Sequence, residues 1–164
     1  MPEATTPPDS KERLFEVTID ENSVGHPNPS VEHEREVAIF DLLEGNSFIL
    51  NDYDVGPYKL KLSVEDGRLS FKIGNKSVDE VVTHLVPFSP FRRIVKDYFI
   101  ICESYYDAIR SASSAKIQAI DVNRRAMHDE GTRLLVEKLD GKITLDFDTA
   151  RRLYTLVCAL HWKG

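Results

Sequence analysis

Phe15, Val17 and Ile19 alternate with polar residues, the period of two that turns one face of a strand to a core and the other to solvent. Gly25 to Pro29 breaks the pattern as a loop. Asn28-Pro29-Ser30 then supplies helix-start chemistry, with side-chain acceptors for orphan N–H groups and a proline whose fixed φ suits a first turn. The helix is expected to reach about Glu44, with Gly45 as its C-cap. Period two returns at Tyr58, Leu60, Leu62 and Val64, and again after Asp66-Gly67 at Leu69, Phe71 and Ile73. Asp-Gly suits a type I′ turn, whose two central residues need positive φ. The pattern thus predicts a hairpin with Val64 opposite Leu69, Leu62 opposite Phe71 and Leu60 opposite Ile73, all apolar side chains on one face. A further strand is predicted over about 81–86, and a short one over 47–50 that leads into the same sheet.

Ser89-Pro90 opens a long helix to about Ser111, in which Phe91, Ile94, Val95, Tyr98, Ile101, Cys102, Tyr105 and Ile109 fill one arc at about 100° per residue. Phe99 and Tyr106 widen that arc, so this helix is expected to pack against the sheet and another helix at once. A third helical region covers about 115–139, as one helix or as two. Ile143, Leu145 and Phe147 read as a last strand, and Asp148 as the cap of a final helix carrying Leu153, Val157 and Leu160. Strands followed by helices, with a hairpin, predict an α+β fold: a small, mostly antiparallel sheet with a central hairpin, packed against about four helices.

The composition leaves this picture intact: 164 residues, 41% hydrophobic and 29% charged, suit one domain over 13–164 behind a flexible tail at 1–12. That tail has no apolar run, so it is not expected to be a signal peptide, and no stretch reaches the length of a membrane span. A net charge of −6 argues against nucleic acid as a partner. Cys102 and Cys158 both fall in apolar helical patterns and read as buried free thiols of a cytoplasmic protein, and no spacing suggests a metal or cofactor.

Three strings, VEHEREVAIFDLLEGNSF, PFRRIVKDYFIICESYYDAIR, and AIDVNRRAMHDEG with DFDTARRLYTLVCALHWKG, resemble those of an alphaproteobacterial uncharacterised protein family, number 0262 in its series. The resemblance covers about 13–164. It implies a stand-alone cytosolic protein and carries no activity, cofactor or catalytic residue.

The candidate chemistry therefore comes from the residues. P-loop, dinucleotide and nucleophile-elbow patterns are absent. His33-Glu34 begins like a zincin motif, but Val37 stands where the second histidine belongs, and His33 with Glu36 reads more simply as a solvated helix end. Asp121, Arg124 and His128 fall inside the apolar arc of Ile117, Ile120, Met127 and Leu135, where unpaired charge is costly. They form either a satisfied structural network or a polar pocket in which Arg124 binds an anion and His128 exchanges a proton. Arg35 lies inside the arc of Val31, Ala38 and Leu42; it is either a buried ion pair, with Asp121 as one partner, or a second guanidinium in that pocket. Arg92, Arg93 and Arg151 sit at helix starts, the wrong end for cations, and call for compensation by Asp97, Asp146 and Asp148 or by a bound anion. His84 packs over the sheet. His161 and Trp162 close the chain.

Three functions fit this reading. One is a binding or regulatory protein for a phosphate- or carboxylate-bearing small molecule or a phosphorylated partner. Another is a small enzyme on a phosphorylated metabolite, with His128 as acid or base. The third is a protein–protein adaptor, which requires an exposed apolar patch beside the mixed-charge stripe Arg92, Lys96, Glu103 and Arg110.

Overall fold

The computed structural model describes residues 10–24 and 29–160, with backbone alone at 30 and 31. The expectations for most of the tail, for Asn28 as a cap and for His161 and Trp162 lie outside the described residues.

The fold is α+β. Strands β1 (Leu14–Ile19), β3 (Tyr58–Glu65), β4 (Arg68–Asn75) and β5 (Val82–Pro87) form one sheet in the order β1-β3-β4-β5. The β3–β4 hairpin has the predicted register, with Leu62 opposite Phe71, and its turn places Asp66 at φ 52° and Gly67 at φ 74°. His84 lies opposite Phe71, on the same face as Val82 and Val86. The one parallel pair is β1–β3. Its register shifts between Leu14 and Glu16, so Leu14 and Val17 are buried while Phe15 bulges outward, where Lys76 Nζ stands 5.7 Å from its ring centroid. Strict alternation through Phe15 is thereby corrected, because a bulge inserts one residue into the period of two.

The short strand β2 (Phe48–Leu50) does not join that sheet. It pairs antiparallel with β6 (Ile143–Leu145) in a separate two-stranded sheet. A three-residue apolar segment carries no information about its partner, and here the partner is supplied nearly a hundred residues later. Phe147, expected in the last strand, starts α4 (Phe147–Leu160) and is exposed. Ala150 N donates to Asp146 O, so Asp146 holds the cap position and Asp148 the first turn.

Gly45 has no left-handed conformation. Helix α1 (Pro29–Glu44) is closed instead by Asn46, whose side-chain amide donates to Leu42 O at 2.9 Å and Leu14 O at 3.1 Å while its oxygen accepts from Leu14 N at 2.7 Å. Arg152 Nη1 adds a 2.6 Å bond to Gly45 O, a cation at a helix C-terminus. Helix α2 (Ser89–Ser111) and helix α3 (Ser114–Leu139) form an antiparallel hairpin. Helix α3 is continuous, and Ser113 caps it by accepting from Lys116 N.

The helices pack in the order α1-α4-α3-α2. Helix α4 is the axis of this layer, with Leu153, Tyr154, Leu156 and Val157 fully buried. A Cβ on Gly131 of α3 would stand 2.1 Å from Tyr154 Cζ, so glycine is what lets α3 lie directly on that ring. Among the described residues, no helix is long and apolar enough to cross a membrane.

Candidate functional site

The continuous helix α3 turns Asp121, Arg124 and His128 along one side, as the sequence spacing requires, with Asp121 bonded to Arg124 and His128 bonded to Thr155 of α4. Asp121 Oδ1 accepts from Arg124 Nε at 3.0 Å and Nη2 at 2.5 Å, and its other oxygen meets Arg125 Nη2 at 2.8 Å. The Arg124 hydrogen bond holds the Asp121 carboxyl below its usual range. Arg124 also stacks its guanidinium 4.8 Å from the Tyr105 ring centroid.

His128 is 9% exposed, between the Tyr98 and Tyr154 rings in edge-on contacts at 5.4 and 5.1 Å. Its Nε2 lies 2.8 Å from Thr155 Oγ1. The Thr155 hydroxyl donates to Arg151 O, so its oxygen accepts, Nε2 carries the proton, and Nδ1 is a bare acceptor. That Nδ1 is buried without a hydrogen-bond partner among the described residues. Burial, then the nearby Arg151 guanidinium, depresses this imidazole to about 4.

Arg35 is 3% exposed and spans from α1 to the end of α4, with Nε and Nη2 both donating to Ala159 O at 3.3 and 3.2 Å. Its Nη1 meets Glu21 Oε2 at 3.3 Å. Glu21, and not Asp121, is therefore an acidic contact of Arg35, which acts as a cation on the last turn of α4. Acids meet the N-terminal arginines: Arg93 reaches Asp97 at 3.7 Å, and Arg151 reaches Asp129 at 3.4 Å and Asp148 at 4.0 Å. Arg92 stands exposed on α2. His33 and Glu36 are exposed, and no group of three metal-ligating side chains occurs among the described residues.

The concave feature of this face is a groove of about 480 Å³ between α1 and α2. These helices do not pack on each other, because α4 and α3 separate them. Thr155, Cys158 and Ala159 of α4 form the floor, with Arg124 of α3 beside them. Helix α1 contributes Val37 and Ala38 flanked by His33, Glu34 and Asp41. Helix α2 contributes Tyr98, Phe99, Cys102 and Tyr106, with Glu103 on the lip. Val37 is 43% and Tyr106 57% exposed. Burial pushes the thiol of Cys102 up, and that of Cys158 up to about 12, so both are protonated at neutral pH. Neither Arg35 nor His128 lines this groove.

A profile of the uncharacterised protein family UPF0262 matches residues 11–163. The chain belongs to that family. A UPF0262 protein of Mesorhizobium japonicum is 55% identical over 156 residues, 94% of this chain and 96% of its own. One from Brucella canis is 58% identical over 153 residues, covering 93% and 95%. One from Rhizobium meliloti is 57% identical over 152 residues, covering 93% and 96%. No solved structure matches. Membership in UPF0262 assigns no ligand, and the groove itself was not legible in the sequence. Its one signal was the wide apolar arc of α2, in which Phe99 and Tyr106 exceed what packing on α3 requires.

Proposed function

We propose that the chain is a protein–protein adaptor that seats an amphipathic, basic helix of a partner protein in the groove between α1 and α2. The observation that carries this reading is the combination of an apolar floor with an acidic rim. The groove volume of about 480 Å³ lies within the range of ligand pockets, and its open form between two helices suits a third helix that inserts anchors at i, i+3 or i+4, and i+7. Helix α1 exposes Glu32, Glu34, Glu36, Asp41 and Glu44 while its one arginine, Arg35, turns inward. Glu103 faces this acidic wall from α2. An apolar stripe flanked by lysine or arginine complements both features, and the charges steer its approach.

Anion recognition draws less support from the same geometry. Arg124 is engaged by Asp121, and Glu34, Asp41 and Glu103 repel an anion from the groove. A turnover function would need His128 to meet a substrate, whereas its Nε2 is bonded to Thr155 and it sits behind the groove lining. The adaptor reading is consistent with a cytoplasmic protein holding two reduced cysteines.

The test is fluorescence polarisation with a synthetic leucine–lysine amphipathic helix and its leucine–glutamate counterpart. The lysine peptide is expected to bind, and the glutamate peptide to bind at least about tenfold more weakly. Val37→Asn with Tyr106→Ser should abolish the difference, and Glu34→Lys with Asp41→Lys should reverse the preference. Equal binding of both peptides, or binding indifferent to all four substitutions, would refute the proposal.

A further inference from the structure

The outer side of the α2–α3 hairpin, facing away from α4, carries a second apolar surface. Two shallow depressions of about 350 and 410 Å³ follow one another along the seam between the helices. The first has Ile94 and Met127 in its lining, the second Ile101 and Ile120, and all four are only half-buried. Ile94 and Ile101 are seven residues apart on α2, as are Ile120 and Met127 on α3, the repeat that keeps an apolar seam on one side of a helix pair. Ile100, at the middle of α2, is 54% exposed.

The charges along this seam have an order. Near the body, α2 carries Arg93, with Asp97 one turn further along, and α3 carries Glu130; near the tip, α2 carries Asp107 and α3 carries Lys116. The outermost charge on each helix therefore changes sign from one end to the other. Arg93 and Asp107 are equidistant from Ile100, and Lys116 and Glu130 are equidistant from Asn123. Because the hairpin turns at Ala112–Ser113, Ile100 and Asn123 lie at nearly the same height.

We propose that this face is the interface of a two-fold homodimer. A two-fold axis in the contact plane, across the helices at the height of Ile100, lays α2 antiparallel on α2 of the second copy and α3 antiparallel on α3. Arg93 then meets the second copy's Asp107, Lys116 meets its Glu130, and each pair occurs twice. The two Ile100 side chains meet at the axis, and the four helices form a bundle over the Ile94, Ile101, Ile120 and Met127 floor. A hairpin of this length and two-helix width covers roughly 35 by 20 Å, or about 700 Å² on each copy, close to what standard stable interfaces bury. A basic or acidic foreign helix lacks this match, since either sign is repelled at one end of each helix. The Arg93–Asp97 contact does not oppose the exchange, because Arg93 is almost fully exposed.

The experiment is sedimentation equilibrium of the full chain from micromolar to millimolar concentration. Wild type is expected at twice the chain mass. Arg93→Asp and Asp107→Arg each place like charges opposite one another and should weaken dimerisation at least about tenfold. An equimolar mixture of the two variants restores both pairs and should dimerise again, while Ile100→Lys prevents dimerisation in either background. Unchanged far-UV circular dichroism of the isolated variants establishes that the fold is kept, while their melting points should fall below that of wild type, since association stabilises the folded chain. A monomeric wild type across this range, a dimer unaffected by the single charge reversals, or a mixture that stays monomeric would each overturn the proposal.

Discussion

His128 makes the stability of this protein depend on pH in a calculable way. In the unfolded chain its imidazole titrates near 6.5, the ordinary histidine value; in the fold it is depressed to about 4. Between these values the unfolded state binds a proton that the native state refuses, so stability is complete above about 6.5 and falls with falling pH. Each pH unit costs about 1.4 kcal/mol, and the loss levels off near pH 4 at about 3 kcal/mol. The cause is structural. Burial between Tyr98 and Tyr154 opposes charge, Arg151 and Arg124 add repulsion, Asp129 offsets part of it, and a proton on Nδ1 would find no acceptor among the described residues. Urea midpoints of wild type and His128→Gln, measured at intervals from pH 7.5 to 4.5, provide the assay. His84 is also depressed, by burial and then Lys142, so the difference between the two proteins isolates His128. The glutamine variant should lose the part of the pH slope that His128 supplies while keeping a donor for Thr155. Equal slopes in both proteins, or a His128 proton resonance in NMR that titrates near 6.5, would refute the reasoning.

Other parts of the structure yield further expectations. Gly131→Ala drives a Cβ into the fully buried Tyr154 ring and should cost about 3 kcal/mol in urea denaturation, the upper end of overpacking penalties; a neutral result would show that α3 lies farther from α4. Asn46→Ala strands Leu14 N and Leu42 O inside the fold and leaves Leu14 O the 3.4 Å bond from Arg13 Nε, and about 3 kcal/mol of lost stability is expected, with faster amide exchange at Leu14. Native protein should expose Cys102 slowly and Cys158 not at all to Ellman's reagent at neutral pH, both thiols reacting once unfolded. The leucine–lysine helix should slow the Cys102 reaction, because Cys102 lines the proposed docking groove.

Much of the fold was legible because it follows from local periodicity. The β3–β4 hairpin needed only alternating apolar residues and an Asp-Gly turn with positive φ, and the structure has that register. The extents of α1 and α2 followed in the same way. The errors arose where local pattern carries no partner information. β2 is three residues long, and its pattern points to the main sheet, whereas β6 pairs with it. Gly45 looked like a cap, yet Asn46 and Arg152 satisfy the α1 carbonyls through residues distant in sequence. At the candidate residues, the sequence identified charge on apolar arcs at Arg35, Asp121, Arg124 and His128 without indicating what each would meet.

Read alone, the chain specifies its elements, its α+β class and the four polar side chains that interrupt apolar arcs, because periodicity is a property of each segment. Helix packing sets what those side chains meet: Arg35 grips the end of α4, Asp121 holds Arg124, and His128 is bonded to Thr155. It alone placed α4 and α3 between α1 and α2, which opens an acid-rimmed apolar groove where the sequence suggested an arginine pocket. The physical reason is that a charge's partner and a groove's walls come from separate segments, and their meeting is fixed by the packing of helices on one another.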